Sequence, residues 1–270
     1  MSIATTPATS GISAALARAK AEGRPALVPF VTAGYPNLAM TERLLPALVE
    51  GGADVIEIGI PFSDPIADGE TVQRTSQVAL ANGTTLEDAI AVVGRARANG
   101  ITTPIVFMGY FNPFYHYGIE RLAQDAAAAG IDGFIIPDLP TEESDEILDA
   151  LRANGRDLIF IVAPTSTEDR IREVARRASG FVYCVSLTGV TGARASLADD
   201  LPSYIARVRQ HTILPLVVGF GISTPEHVQE IARIADGVAI ASALINYLDG
   251  VPEHEQPAAA TAFLHNMTGR

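Results

Sequence analysis

The run Val55-Ile56-Glu57-Ile58-Gly59-Ile60-Pro61-Phe62-Ser63-Asp64-Pro65-Ile66-Ala67-Asp68-Gly69 sets one carboxylate inside an apolar strand pattern and a second in the loop that follows. A charge within such a strand is costly unless a partner stabilises it or its pKa rises. Strand side chains alternate, so Val55, Glu57 and Gly59 share one face and Ile56, Ile58 and Ile60 the other. One acid held inside and one at the rim suit proton transfer. Each acid also has an ordinary reading. Glu57 would be a buried structural carboxylate paired with an Arg or a Tyr hydroxyl, and Asp68 a turn residue before Gly69. Their joint placement on one strand-loop unit shifts the balance toward catalysis.

A second group of residues suits anion binding. Val218-Gly219-Phe220-Gly221-Ile222-Ser223 ends a strand pattern with two glycines around an aromatic, and Ala239-Ile240-Ala241-Ser242-Ala243-Leu244 runs from a strand straight into a helix. Backbone amides at a helix start attract phosphate, and glycines allow close approach. The plainer alternative is that these glycines only permit tight turns. Between the two groups, Ser186–Asp200 is long for a connection and carries Thr188, Gly189, Thr191 and Gly192, a composition suited to a lid over a ligand. A passive surface loop has the same composition. Elsewhere the signals are bland. His116, His211, His227, His254 and His265 lack ligand spacing, so no metal is expected. There is neither a nucleophile elbow nor a Gly-Lys-Ser/Thr phosphate loop. Arg170, Arg172, Arg176 and Arg177 read as a solvated helix face.

The elements that must position these groups follow from the apolar runs. Strands are predicted at Ala26–Thr32, Val55–Gly59, Pro104–Met108, Gly133–Pro137, Leu158–Val162, Phe181–Val185, Pro215–Gly219 and Gly237–Ala241. Helical patterns lie between them near Asn37–Glu50, Glu70–Leu80, Thr85–Asn99, Ile119–Ala129, Glu142–Asn154, Thr167–Ala178, Leu201–His211 and Pro225–Ala235. Another, Ile12–Glu22, precedes the first strand with Ser10 or Ser13 as its cap. Eight strands alternating with helices predict an α/β fold with a parallel sheet closed into a (β/α)8 TIM barrel, with an extra N-terminal helix. An open doubly wound sheet competes, but Gly219-Phe220-Gly221-Ile222-Ser223-Thr224 has Thr where its third glycine belongs. No linker divides the chain, so a single domain over residues 1–270 is expected. In such barrels the chemistry sits at the C-terminal strand ends, which here carry Thr32, Glu57 with Asp68, Tyr110, Asp138, Tyr183, Thr191-Gly192, Gly219-Phe220-Gly221 and Ser242.

A formal charge of −12 argues against nucleic acid and anionic membrane surfaces as partners. A single cysteine, Cys184, fits a reducing compartment. With no secretory signal pattern and no long apolar span, the expected location is the cytoplasm.

Pro29-Phe30-Val31-Thr32-Ala33-Gly34-Tyr35-Pro36, the Glu57–Gly69 segment, Ser186-Leu187-Thr188-Gly189-Val190-Thr191-Gly192 and Gly219-Phe220-Gly221-Ile222-Ser223 together resemble the α subunits of tryptophan synthase, in that family's order and spacing over nearly the whole chain. The resemblance implies a carbon–carbon lyase of the last steps of tryptophan biosynthesis. Such a lyase cleaves indole-3-glycerol phosphate to indole and glyceraldehyde 3-phosphate by a retro-aldol reaction. It implies Glu57 as the group moving protons and Asp68 as the partner of the indole N–H. It implies an indole pocket of Phe30, Met108, Ile135, Ile161 and Tyr183, a lid threonine at Thr191, and phosphate contacts at Gly192, Phe220, Gly221, Ala241 and Ser242. Ala241 stands where many relatives have Gly, but its backbone amide remains. The resemblance further implies an α2β2 heterotetramer in which the β subunit holds pyridoxal phosphate and receives indole, while this chain holds no cofactor. Pro61 and Asp64 would then face that partner. Two rival readings stay open: another phosphate-binding barrel enzyme, and a regulatory subunit that binds the same ligand without turning it over.

Overall fold

The computed structural model describes residues 10–185, 200–219 and 221–269. In chain order the elements are α1 (Gly11–Ala21), β1 (Ala26–Thr32), α2 (Leu38–Glu50), β2 (Ile56–Gly59), α3 (Glu70–Ala81), α4 (Leu86–Ala98), β3 (Ile105–Met108), α5 (Phe111–Tyr117), α6 (Ile119–Ala129) and β4 (Gly133–Ile135). There follow α7 (Asp145–Ala153), β5 (Asp157–Val162), α8 (Glu168–Arg177), β6 (Val182–Val185), α9 (Leu201–Arg209), β7 (Leu216–Gly219), α10 (Pro225–Ala232), β8 (Gly237–Ile240), α11 (Ser242–Asp249) and α12 (Gln256–Thr268). Each strand pairs in parallel with the next, and β8 pairs back to β1, so the sheet closes into the expected barrel. Closure leaves no edge strand.

Side-chain caps account for five of the twelve α-helix starts among the described residues. Ser10, Asn37, Thr167 and Thr224 each accept a hydrogen bond from an amide of the first turn, and Thr85 with Asp88 forms a reciprocal capping box. Strand β4 stops at Ile135, two residues short of the predicted Pro137, whose ring nitrogen has no proton to give a ladder. The helix expected over Glu142–Asn154 divides into a 3-10 turn at Thr141–Glu143 and α7, with the Ser144 hydroxyl turned onto the Thr141 carbonyl.

Alternation along the strands separates two cores. Ile56, Ile58 and Ile60 pack outward among the helices, together with Phe107, Phe134 and Leu158. Val28, Val55, Val106, Ile135, Ile159, Tyr183 and Val217 fill the inside. Ile12, Ala15, Leu16 and Ala19 of α1 belong to that inner group, and the Ser13 hydroxyl reaches the Gly180 carbonyl just ahead of β6. The N-terminal helix therefore plugs the mouth at which the strands begin.

That same rim carries a repeated device. A residue one to three positions ahead of each even strand accepts a backbone N–H of the preceding odd strand: Asp54 from Leu27 at 2.9 Å, Asp132 from Ile105 at 2.8 Å, Ser179 from Leu158 at 3.2 Å and Asp236 from Leu216 at 2.9 Å. Each of the three carboxylates also holds an arginine: Arg24 on Asp54, Arg97 on Asp132 and Arg209 on Asp236. These acids are structural, as expected of the face opposite the active site. Removing a buried partner leaves an unpaired charge and an unsatisfied amide. Asp54→Ala should therefore lower the free energy of unfolding by about 3 kcal/mol, read by chemical denaturation, with turnover per folded molecule unchanged.

Candidate active site

At the other mouth the acids are treated differently. Glu57 sits on the inward face of β2, opposite Phe30 of β1 and Val106 of β3. It is 1% exposed, and its Oε2 has no hydrogen-bond partner among the described residues. Asp54, buried almost as deeply only three residues earlier, carries the Arg24 fork; among the described residues Glu57 has nothing comparable. Burial, with the nearby Asp68 charge adding to it, pushes the Glu57 carboxyl up to about 8. An acid so placed keeps its proton at neutral pH and can deliver it.

Asp68 is half-buried in the loop between β2 and α3. Its N–H donates to the Pro65 carbonyl at 3.1 Å, and its carbonyl accepts from the Gln73 amide at 2.8 Å, which fixes the loop. Burial raises its carboxyl to about 6, while the Tyr110 hydroxyl favours the ionised form. Tyr110 also accepts from the Ala67 N–H at 2.8 Å and stacks on Phe62 with ring centres 5.2 Å apart. Gly69 has φ −74°, is the N-cap of α3, and a methyl there would meet nothing within 4 Å. The Asp-Gly pair is thus no left-handed turn; Asp68 instead closes the preceding turn through its own N–H to the Pro65 carbonyl.

Phe30, Gly59, Asp68, Met108 and Tyr110 line one cleft at this mouth, with Ile60, Val72, Ser76 and Gly109 completing the wall. Tyr183 stands on the inward face of β6, and the negative charges of Glu57 and Asp68 add to burial in raising its hydroxyl well above the usual phenol value. The three groups therefore share one field. Two glycines make room for the aromatics. A methyl on Gly59 would come within 2.3 Å of the Phe30 ring, and one on Gly219 within 2.3 Å of the Tyr183 hydroxyl. Gly219 thus serves the space needed by a neighbouring side chain as well as the turn after β7.

Comparison with known proteins identifies a family. The family model described as tryptophan synthase alpha chain matches residues 16–268. The tryptophan synthase alpha chain of Roseiflexus castenholzii is 54% identical over 260 residues, covering 96% of this chain and 100% of the relative. The chain belongs to the tryptophan synthase alpha chain family. Among solved structures, the alpha chain from Legionella pneumophila superposes with a TM-score of 0.88 at 37% identity, covering 96% of each chain. The tryptophan synthase complex from Pyrococcus furiosus gives 0.84 at 34% identity, covering 92% of this chain and 99% of that one.

Of the residues that the family resemblance points to, Phe30, Met108 and Asp68 meet in the cleft. Ile135 and Tyr183 lie in the inner core with Ile161 packed against it; they face the barrel interior without lining that cleft. On the other side of β1, Ala241 precedes α11, and its methyl cannot accept a hydrogen bond from the amides of Ser242 and the rest of the first turn. Gly221 adopts φ +74°, a conformation that favours glycine. Thr191, Gly192 and Phe220, together with the lid segment apart from Asp200, lie outside the described residues. Asp138, a rim group in the sequence, accepts from the Phe111 N–H at 2.9 Å and so caps α5, a helix of the preceding βα unit. Tyr110 was visible as a rim residue, but its grip on the Asp68 loop depends on contacts across 43 residues. Among the described residues no group of three or more His, Cys, Asp or Glu side chains is placed to hold a metal ion.

Proposed function

We propose that this chain cleaves indole-3-glycerol phosphate to indole and glyceraldehyde 3-phosphate, with Glu57 and Asp68 as its catalytic residues. One observation carries the assignment: a fully buried Glu57 that lacks, among the described residues, the ion pair of its structural counterparts, beside an acid whose pKa lies lower. Two neighbouring acids with separated pKa values take separate roles. The neutral Glu57 carboxyl gives its proton to the indole ring carbon that bears the glycerol chain. The ring nitrogen becomes cationic, and the ionised Asp68 accepts its N–H and stabilises that charge. Glu57, now a carboxylate, removes the proton from the adjacent hydroxyl. The carbon–carbon bond breaks, its electron pair returns to the ring, and the hydroxyl carbon leaves as an aldehyde. Glu57 ends protonated, and no oxidant or reductant is needed.

The apolar inner residues Phe30, Met108, Ile135, Ile161 and Tyr183 suit the flat indole, Gly221, Ala241 and Ser242 suit the phosphate, as do Gly192 and Phe220 from the segments not described, and Thr191 is the lid threonine. The partner is a tryptophan synthase β subunit, which takes up the indole and holds the pyridoxal phosphate; no group in this chain is assigned to that cofactor.

Mixing the purified chain with indole-3-glycerol phosphate should release indole, and adding the β subunit should increase the rate. No indole under either condition would leave a regulatory subunit or a different barrel enzyme as the better reading. The acid roles also set a pH profile. Activity requires Asp68 ionised and Glu57 protonated, so kcat/KM should fall below about pH 6 and again above about pH 8. A profile flat from pH 5 to 9 would contradict the assignment.

A further inference from the structure

The two halves of the proposed site are not neighbours in the sheet. Glu57 and Asp68 belong to β2 and its loop, the phosphate-binding helix start belongs to β8, and β1 lies between them. A substrate anchored at one half reacts at the other, so their separation must be held to a fraction of an ångström. The helices that follow these strands make direct contact. Thr71 and Arg74 stand one turn apart on α3, and Asn246 and Asp249 one turn apart on α11. The Thr71 hydroxyl donates to Asn246 Oδ1 at 3.3 Å, and the Arg74 guanidinium pairs with the Asp249 carboxylate. The result is a two-rung ladder between parallel helices. Tyr35, from the loop after the intervening β1, joins the lower rung. Its hydroxyl donates to Asp249 Oδ1 at 2.5 Å and accepts from Arg74 at 2.8 Å, and the guanidinium carbon lies 5.7 Å from the centre of its ring.

We propose that Arg74, Asp249 and Tyr35 form a positioning clamp that fixes the Asp68 loop relative to the phosphate-binding start of α11. The inference rests on the lyase reading above and adds residues to it that touch no substrate. Arg74 and Asp249 keep 44% and 27% of their side-chain surface exposed, and pairs so placed add little to stability. A clamp of this kind holds geometry more than it holds the fold together. It joins the units of strands 8, 1 and 2, the arc over which the bound substrate must stretch.

The test measures indole release at saturating indole-3-glycerol phosphate, inhibition by inorganic phosphate, and the thermal midpoint, in the full-length chain. Arg74→Leu should lower kcat about tenfold, because misplacement by less than an ångström is enough for such a loss. Inhibition by inorganic phosphate should stay within about twofold of wild type, since one ligand at one half does not sense the spacing. Arg74→Lys keeps the ion pair and should regain most of the lost kcat. Tyr35→Phe, which removes one oxygen and preserves the ring, should cost about threefold and carries the test if Arg74→Leu does not fold. A kcat for both variants indistinguishable from wild type would overturn the clamp. So would losses of kcat, phosphate inhibition and thermal midpoint in proportion, which would make the cluster only structural. Wild-type protein that releases no indole would instead overturn the lyase reading and the clamp with it.

Discussion

Glu57→Gln should reduce indole release by about 10²–10⁴-fold, down to the level left by binding and orientation alone. The amide has the size of the carboxyl and fits the same space on the inner face of β2, but it can neither give the proton to the ring nor take one from the hydroxyl. Binding of substrate should change little, because the inner apolar wall and the phosphate contacts are untouched. Stability gives an independent check with the opposite sign. The folded-state pKa of Glu57 is raised from 4.5 to about 8. A carboxyl shifted upward favours folding fully only below its unfolded value, and that contribution is lost as pH rises through the folded value. The shift corresponds to about 5 kcal/mol between the two ends of the window. Gln carries no charge in either state and escapes the loss. Thermal unfolding of Glu57→Gln should therefore match wild type near pH 4.5, exceed it by a margin that grows up to about pH 8, and keep a constant margin above that. An inactive variant that is more stable than wild type excludes misfolding as the cause. Near-normal turnover would remove Glu57 from the mechanism.

The same contrast shows what was legible in the sequence and what was not. Glu57 stands out because Val55-Ile56 and Ile58 surround a charge, and alternation correctly turns it toward the barrel interior. Asp54, one residue before the same run, looks no less anomalous. Whether such an acid is structural depends on a partner distant in sequence: Arg24 lies 30 residues from Asp54, and among the described residues Glu57 gains no such fork. Only the fold supplies that information. The strands were readable because branched residues and flanking glycines recur at βα spacing. Helix α5 was not, since Phe111-Asn112-Pro113-Phe114-Tyr115-His116-Tyr117 has poor helix formers. It is held by the Asp138 cap and by Phe114 packing edge-on to Phe134 at 5.5 Å. Helix α12 was also missed. Its alanine-rich stretch offers little contrast between faces, and it is fixed by tertiary contact, with Leu264 fully buried and the Thr261 hydroxyl on the Ala47 carbonyl at 2.9 Å. Gly219 was readable as a glycine suited to the close approach of a ligand, whereas no sequence signal assigned Gly59 such a role. That the approaching groups are the Phe30 ring and the Tyr183 hydroxyl required the register of neighbouring strands.

Asp68→Asn should lower kcat by roughly 10²–10³-fold, the cost typical of losing one preorganised electrostatic contact to developing charge. The amide oxygen can still accept the indole N–H, so substrate should bind with nearly unchanged affinity. What disappears is the negative charge opposite the cationic ring nitrogen, which matters once the ring has been protonated. The pH profile should change in a way that separates this role from a loop defect. The limb near pH 6 should vanish, because the group that titrates there is gone. The limb near pH 8 should move downward, because the Asp68 charge is one of the two causes that raise Glu57. It should not reach the ordinary carboxylate range, since burial is the larger cause and remains. A loop disturbed by the substitution would instead loosen the Tyr110 and Gln73 contacts and lower activity at every pH without moving either limb. A loss smaller than about tenfold with both limbs in place would reduce Asp68 to a part of the loop, and Glu57 would have to stabilise the ring cation unaided.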